Sequence, residues 1–148
     1  MVHRIYLHIV WTTRDRGLLL DYERARCLNR LVPSIAAQER AIVLGVGVVA
    51  SHIHVMLRVH PKFDSGRFVG RVKSISALIA RQEGLGDPTW LLRWGKGYSI
   101  TSVGHAAIGA ALRYVKSQHE RHPAEAIRGD PEAHASGSAG EVAFATAM

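Results

Sequence analysis

The stretch Ala41-Ile42-Val43-Leu44-Gly45-Val46-Gly47-Val48-Val49-Ala50-Ser51-His52-Ile53-His54-Val55-Met56-Leu57-Arg58-Val59 decides how this chain folds. Its first ten residues are apolar and largely β-branched, which predicts a strand. Gly45 and Gly47 inside it predict a bend or a close backbone approach. After a tight step at Ala50-Ser51, His52 to Val59 reads as a second strand. Side chains alternate along a strand, so Ile53, Val55, Leu57 and Val59 share one face and His52, His54, Met56 and Arg58 the other. The apolar set marks the core face. Both imidazoles therefore lie side by side on the opposite face, at a spacing where two ring nitrogens can bind one metal ion. The competing reading is two solvated histidines in a chain that has nine.

Working outward, Val2 to Thr13 alternates, with Ile5, Leu7, Ile9 and Trp11 on one side and Arg4, Tyr6, His8 and Val10 on the other, another strand. Asp21 is placed to cap a helix through Gln38, which Pro33 should kink or divide. Phe63 to Glu83 carries apolar residues at helical spacing (Phe68, Val69, Val72, Ile75, Leu78, Ile79). Gly84 to Pro88 ends it. Trp90 to Trp94 reads as a short strand or an irregular segment, Tyr98 to Val103 as a strand, and Gly104 to His122 as a last helix. The order strand, helix, strand, strand, helix, strand, helix predicts an α+β fold. Its first six elements match a ferredoxin-like antiparallel sheet with helices on one face, to which a C-terminal helix is added. The domain is expected over residues 1–122, with a mobile tail over 123–148, where periodicity fades.

A chain of 148 residues suits one such domain. The single Cys27 excludes an internal disulfide and any cysteine-cluster metal site, and its helical setting marks it as a buried or semi-buried filler. No apolar run is long enough to cross a bilayer, and the N-terminus shows no signal-peptide order, so a cytoplasmic location is expected. The formal charge is +7, and it is unevenly spread. Residues 1–122 carry 18 basic and 8 acidic side chains, whereas residues 123–148 carry one arginine against four acids. A domain this basic is drawn to polyanions, because each neutralised phosphate releases counterions.

The last helix supplies what a bare histidine pair lacks. Ile108, Leu112 and Val115 form its apolar stripe, and Tyr114 and Gln118, four apart, lie on an adjoining face. A phenol is a nucleophile once a nearby cation or base eases its ionisation. The Gln118 amide oxygen is a hard donor suited to Mg²⁺ or Mn²⁺, and two histidines with one amide leave positions open for phosphate oxygens. Tyr114 also fits a boundary residue with a buried ring and a wet hydroxyl. No phosphate-cradling G-x-x-x-x-G-K-[ST] loop occurs, so no nucleotide cofactor is expected. Arg58, Arg71, Lys73, Lys96 and Lys116 are candidate DNA phosphate contacts. Trp90 and Trp94, flanking Arg93, suit either base stacking or core anchoring. His119 and His122 suit phosphate contacts or solvated helix ends.

Four strings, His8-Ile9-Val10-Trp11-Thr12-Thr13, Ser51-His52-Ile53-His54-Val55-Met56, Trp94-Gly95-Lys96-Gly97-Tyr98 and Tyr114-Val115-Lys116-Ser117-Gln118, occur in an order that resembles the HUH single-tyrosine transposases, over roughly residues 3–122. That family includes insertion-sequence enzymes and their REP-associated relatives. The resemblance implies that His52 and His54 are metal ligands, Gln118 the third ligand and Tyr114 the nucleophile. It implies Mg²⁺- or Mn²⁺-dependent cleavage and rejoining of single-stranded DNA at hairpin-marked sites through a 5′-phosphotyrosine, by a homodimer. Relatives often carry an acidic or amide residue where this chain has Ser51, which puts the support of the metal in question. A non-catalytic nucleic-acid-binding domain on the same sheet is the alternative. A relaxase or replication-initiator relative is a third reading, disfavoured by the short chain.

Overall fold

A computed structural model describes residues 3–127. Its elements are β1 (Ile5–Thr12), α1 (Tyr22–Gln38), β2 (Ala41–Val49), β3 (His52–Val59), α2 (Ser65–Gln82), β4 (Ser99–Val103), α3 (Ile108–Lys116) and α4 (Gln118–Arg121), with single 3₁₀ turns at Arg14–Arg16, His105–Ala107 and Pro123–Glu125. The four strands form one sheet in the order β2-β3-β1-β4, every pair antiparallel. This is the expected ferredoxin-like α+β arrangement. Among the described residues, no helix is long and apolar enough to cross a membrane.

Local chemistry sets the helix starts. The Asp21 carboxylate accepts from the Arg24 amide, and the Asp64 carboxylate from the Arg67 amide, each satisfying a first-turn N–H. Pro33 does not divide α1, which runs unbroken from Tyr22 to Gln38. The ring costs one backbone hydrogen bond, and the buried Leu28, Val32, Ile35 and Ala36 hold the helix on the sheet around it.

The two faces of the sheet carry separate cores. On one, Ile9, Trp11, Ile53, Val55 and Leu57 pack against α1 and against Phe68, Val69 and Val72 of α2. Full burial of each such aliphatic side chain stabilises the fold by about 1.5–3 kcal/mol. On the other, Tyr6, Met56 and Val115 form a smaller cluster with Leu112 and Ile108 of α3. The added C-terminal helix thus covers the face that alternation assigns to the histidines.

Two expectations are corrected. The last helix is not continuous over 104–122: it opens with a 3₁₀ turn and breaks at Ser117, whose φ/ψ of −101°/23° are not helical. The predicted tail also begins inside the folded domain. Pro123–Glu125 form a 3₁₀ turn, the Glu125 carbonyl accepts from the Ala50 amide, and Ile127 is buried in the main core. The rest of that tail, 128–148, lies outside the described residues.

Candidate active site

The site is built on the two central strands. Register places Thr12 opposite His52, Val10 opposite His54 and His8 opposite Met56, all on one face. His8 and His54, diagonal neighbours across the strands, stack with ring centroids 5.0 Å apart, and His8 Nε2 lies 2.8 Å from His54 Nδ1. His52 and His54 are buried, at 3% and 5% exposure, which rejects the solvated-histidine reading. Burial, reinforced by the neighbouring imidazoles His8, His52 and His122, pushes His54 down to about 3. Burial also lowers His52, against the opposing pull of the Glu125 carboxylate, and lowers His8. All three rings are therefore neutral near pH 7, each with a lone pair.

The tyrosine helix reaches this face because β2 lacks side chains where it crosses. Gly47 pairs with His54, and a Cβ at Gly47 would stand 2.0 Å from the Val115 carbonyl oxygen and 3.0 Å from Gln118 Cγ. At Gly45 the nearest atom to such a Cβ is Leu112 Cδ2, at 3.0 Å. The close approach predicted from these glycines is thus made by α3, and a register irregularity between Val43 and Gly45 accompanies it. Val115 is fully buried there. Tyr114, 38% exposed, stands edge-on to His54 at 5.6 Å and to His8 at 5.9 Å between centroids. The Arg121 guanidinium lies 4.6 Å from the centre of the Tyr114 ring, and its Nε donates to Ser117 Oγ.

The break at Ser117 changes where Gln118 points. It does not stack on Tyr114 on a common helix face but turns beneath it, fully buried, with Nε2 donating to the Tyr114 carbonyl at 2.7 Å. Its Oε1 is buried and meets no donor at hydrogen-bond geometry, although the amide lies close enough to His52 to oppose the fall in that ring's basicity. A buried acceptor without a partner costs about 1–3 kcal/mol.

The strand end is closed by Ser51, His119 and His122 together with Glu125, which had no place among the sequence candidates. Ser51 Oγ donates to Glu125 Oε1 at 2.8 Å and lies 3.0 Å from His52 Nδ1, while Glu125 Oε2 is 3.5 Å from the same nitrogen. The His122 ring stands against His52, centroids 5.0 Å apart, and His119 Nε2 meets the Val48 carbonyl. His8 was traceable in the alternation of β1, but only the strand order shows that it faces His54. Glu125 had no local signal at all, since 74 positions separate it from Ser51.

The cationic candidates divide. Arg71 sits on α2, across the sheet from the histidines, and binds Glu39 and Gln38. Lys73 donates to the carbonyls of Gly95 and Gly97, so it ties down the glycine turn, and burial lowers its basicity. Arg58, on the histidine face of β3, donates through Nε to the His3 carbonyl. Lys96 and Lys116 are exposed. Trp94 takes the anchoring role: Nε1 donates to Ser76 Oγ at 2.9 Å and the ring meets Trp11 edge-on, in an irregular segment joined to Thr13 by one β-bridge. Trp90 is 62% exposed.

Among the described residues, no three His, Cys, Asp or Glu side chains are arranged to hold a metal ion. The donor set that fits a hard divalent cation is a different one, two neutral imidazoles and the orphaned Gln118 Oε1. The hydrogen bonds of both rings run through Nδ1, leaving Nε2 of each for such a ligand.

A ferredoxin-like sheet bearing paired histidines under a tyrosine helix defines a class that comparison with known proteins resolves. Residues 1–118 match the family model described as IS200-like transposase. The chain is 27% identical to the ISDra2 transposase TnpA of Deinococcus radiodurans, over 81% of this chain and 88% of that one. It is likewise 27% identical to the transposase for insertion sequence element IS200 of Salmonella typhimurium, over 76% of each. Among solved structures, a crystal structure of a Deinococcus radiodurans R1 protein assigned as a transposase superposes with a TM-score of 0.60 at 21% identity, covering 86% of this chain and 95% of that one. A REP-associated tyrosine transposase bound to a REP hairpin superposes with a TM-score of 0.63 at 11% identity, covering 82% of this chain and 70% of that one. These two likenesses concern the fold. The chain belongs to the IS200-like transposase family, whose members are DNA strand transferases acting in DNA transposition and recombination.

Proposed function

We propose that this transposase cleaves and rejoins single-stranded DNA at hairpin-marked sites through Tyr114, with His52, His54 and Gln118 holding Mg²⁺ or Mn²⁺. The observation that carries this is the convergence of the Tyr114 ring, two neutral buried imidazoles and an unpartnered amide oxygen on one face of the sheet. A bound divalent ion would polarise the scissile phosphate and ease charge build-up on the attacking and leaving oxygens. The chain's own part is positional. The Tyr114 Oη–phosphorus bond forms as the bond to the 3′ oxygen breaks, and that oxygen leaves as a hydroxyl. The resulting 5′-phosphotyrosine retains the bond energy for rejoining, so the cycle needs no ATP. Arg121, over the tyrosine ring, is placed to meet the phosphate once it is bound there. Hairpin DNA as substrate is supported by the hairpin-bound REP-associated transposase of like fold. The homodimer rests on the family resemblance, whereas the site itself is assembled here within one chain.

The test is incubation with labelled single-stranded hairpin oligonucleotides and Mn²⁺, followed by denaturing electrophoresis. A denaturation-resistant adduct is expected, absent in Tyr114→Phe and after chelation of the metal. His54→Ala should lose cleavage while retaining most DNA binding. An adduct undiminished in Tyr114→Phe sinks the proposal, and DNA binding without an adduct on any cleavable hairpin favours the binding-only alternative.

A further inference from the structure

We infer that Glu125 is a positioning residue of this site, acting through Ser51 to set the tautomer and ring orientation of His52; its link to metal binding rests on the function proposed above. Ser51 Oγ carries a single hydrogen, and at 2.8 Å it donates that hydrogen to Glu125 Oε1. The same Oγ lies 3.0 Å from His52 Nδ1, so it must accept there, and Nδ1 must carry the hydrogen. Glu125 Oε2, 3.5 Å from Nδ1, adds its charge on the same side of the ring. His52 is thereby held as the Nδ1–H tautomer with a bare lone pair on Nε2, the form in which an imidazole binds a metal ion.

The placement of Glu125 is part of the fold. Its carbonyl accepts from the Ala50 amide, its amide donates to the His122 carbonyl, and Ile127 two residues on is buried in the main core. The carboxylate itself is a quarter exposed, so an alanine there removes the acceptor while leaving these backbone and core contacts in place. Glu125 also lies beyond the segment that matches the family model, which ends at residue 118.

The test uses the full chain with ¹⁵N-labelled histidine, free of metal, and reads the His52 tautomer from long-range ¹H–¹⁵N correlations. A Mn²⁺ titration by electron paramagnetic resonance follows. The wild type should show His52 as Nδ1–H. Glu125→Ala and Ser51→Ala should each give an Nδ1–H/Nε2–H mixture, and Mn²⁺ affinity should fall about tenfold. Glu125→Gln keeps an accepting oxygen and should recover part of both. An unchanged tautomer in Glu125→Ala overturns the inference, as does a changed tautomer with unchanged Mn²⁺ affinity. If the wild type binds no Mn²⁺ while the tautomer still shifts, the hold of Glu125 on His52 stands and the metal-dependent function is what fails.

Discussion

Replacing Gly47 by alanine adds one methyl group at the point where the tyrosine helix crosses β2. The new Cβ would stand 2.0 Å from the Val115 carbonyl oxygen, against the 3.4 Å of an ordinary contact, so the helix must lift by about 1.4 Å. The obstacle is backbone on both sides, which no rotamer change relieves. Lifting α3 strips contacts from the fully buried Val115 and from Met56 beneath it. We expect a cost of about 2–3 kcal/mol, or roughly 6–15 °C in Tm for a domain of this size. The main core lies on the other face and should remain folded. Displacing Tyr114 by more than 1 Å should slow adduct formation on the order of 100-fold. Gly45→Ala is the control, because its Cβ meets the flexible tip of Leu112 at 3.0 Å and should cost under about 1 kcal/mol. Thermal melting, hydrogen exchange of the α3 amides and the hairpin adduct assay read the outcome. If Gly47→Ala melts and reacts as the wild type does, or if Gly45→Ala is the worse of the two, α3 does not dock on β2 at Gly47.

Three further outcomes follow from the same geometry. Metal-free protein should lose stability as the pH falls from about 6.5 toward 3. The unfolded chain takes up a proton on His54 near its ordinary value of 6.5, whereas the folded chain, with His54 held near 3, refuses it. The slope is at most about 1.4 kcal/mol per pH unit for this proton, and the lowered His52 and His8 act in the same direction. His54→Gln should flatten the curve of Tm against pH, and an undiminished slope would remove His54 as its source. Mixing His54→Ala with Tyr114→Phe protein should restore no cleavage, because each chain docks its tyrosine on its own sheet; recovered activity would show that tyrosine helices are exchanged between subunits. Arg121→Ala should slow adduct formation about two- to fivefold, because the guanidinium over Tyr114 no longer meets the bound phosphate, and should lower Tm by about 2–4 °C, the loss of a cation–π contact of about 0.5–1 kcal/mol.

Periodicity carried most of the fold. Alternation in β1 and β3, helical spacing in α2, and capping at Asp21 gave elements whose limits agree closely with those observed. Where local pattern misled, a nonlocal contact had won. Pro33 was expected to kink or divide α1; packing on the sheet keeps the helix undivided. The last helix was read as continuous because nothing in Tyr114-Val115-Lys116-Ser117-Gln118 announces a break. The break at Ser117 instead accompanies the burial of Gln118 beneath Tyr114. Residues 123–127 were assigned to a tail on composition, yet Ile127 finds a place in the core and Glu125 reaches Ser51.

The sequence by itself determined which chemistry is available: two imidazoles two apart on a strand, a phenol and an amide four apart in the last helical segment, and a strongly basic domain that carries them. It determined this because side-chain type and periodicity are local properties. Only the tertiary structure decided that the histidine face is covered rather than wet, that His8 joins His54, and that Gln118 Oε1 is left without a partner. It alone brought Glu125 to His52 across more than seventy residues. Strand order, and the docking of α3 at the two glycines of β2, set those distances. The glycines announce a close approach, but neither the strand order nor which element approaches can be read from the spacing of residues along the chain.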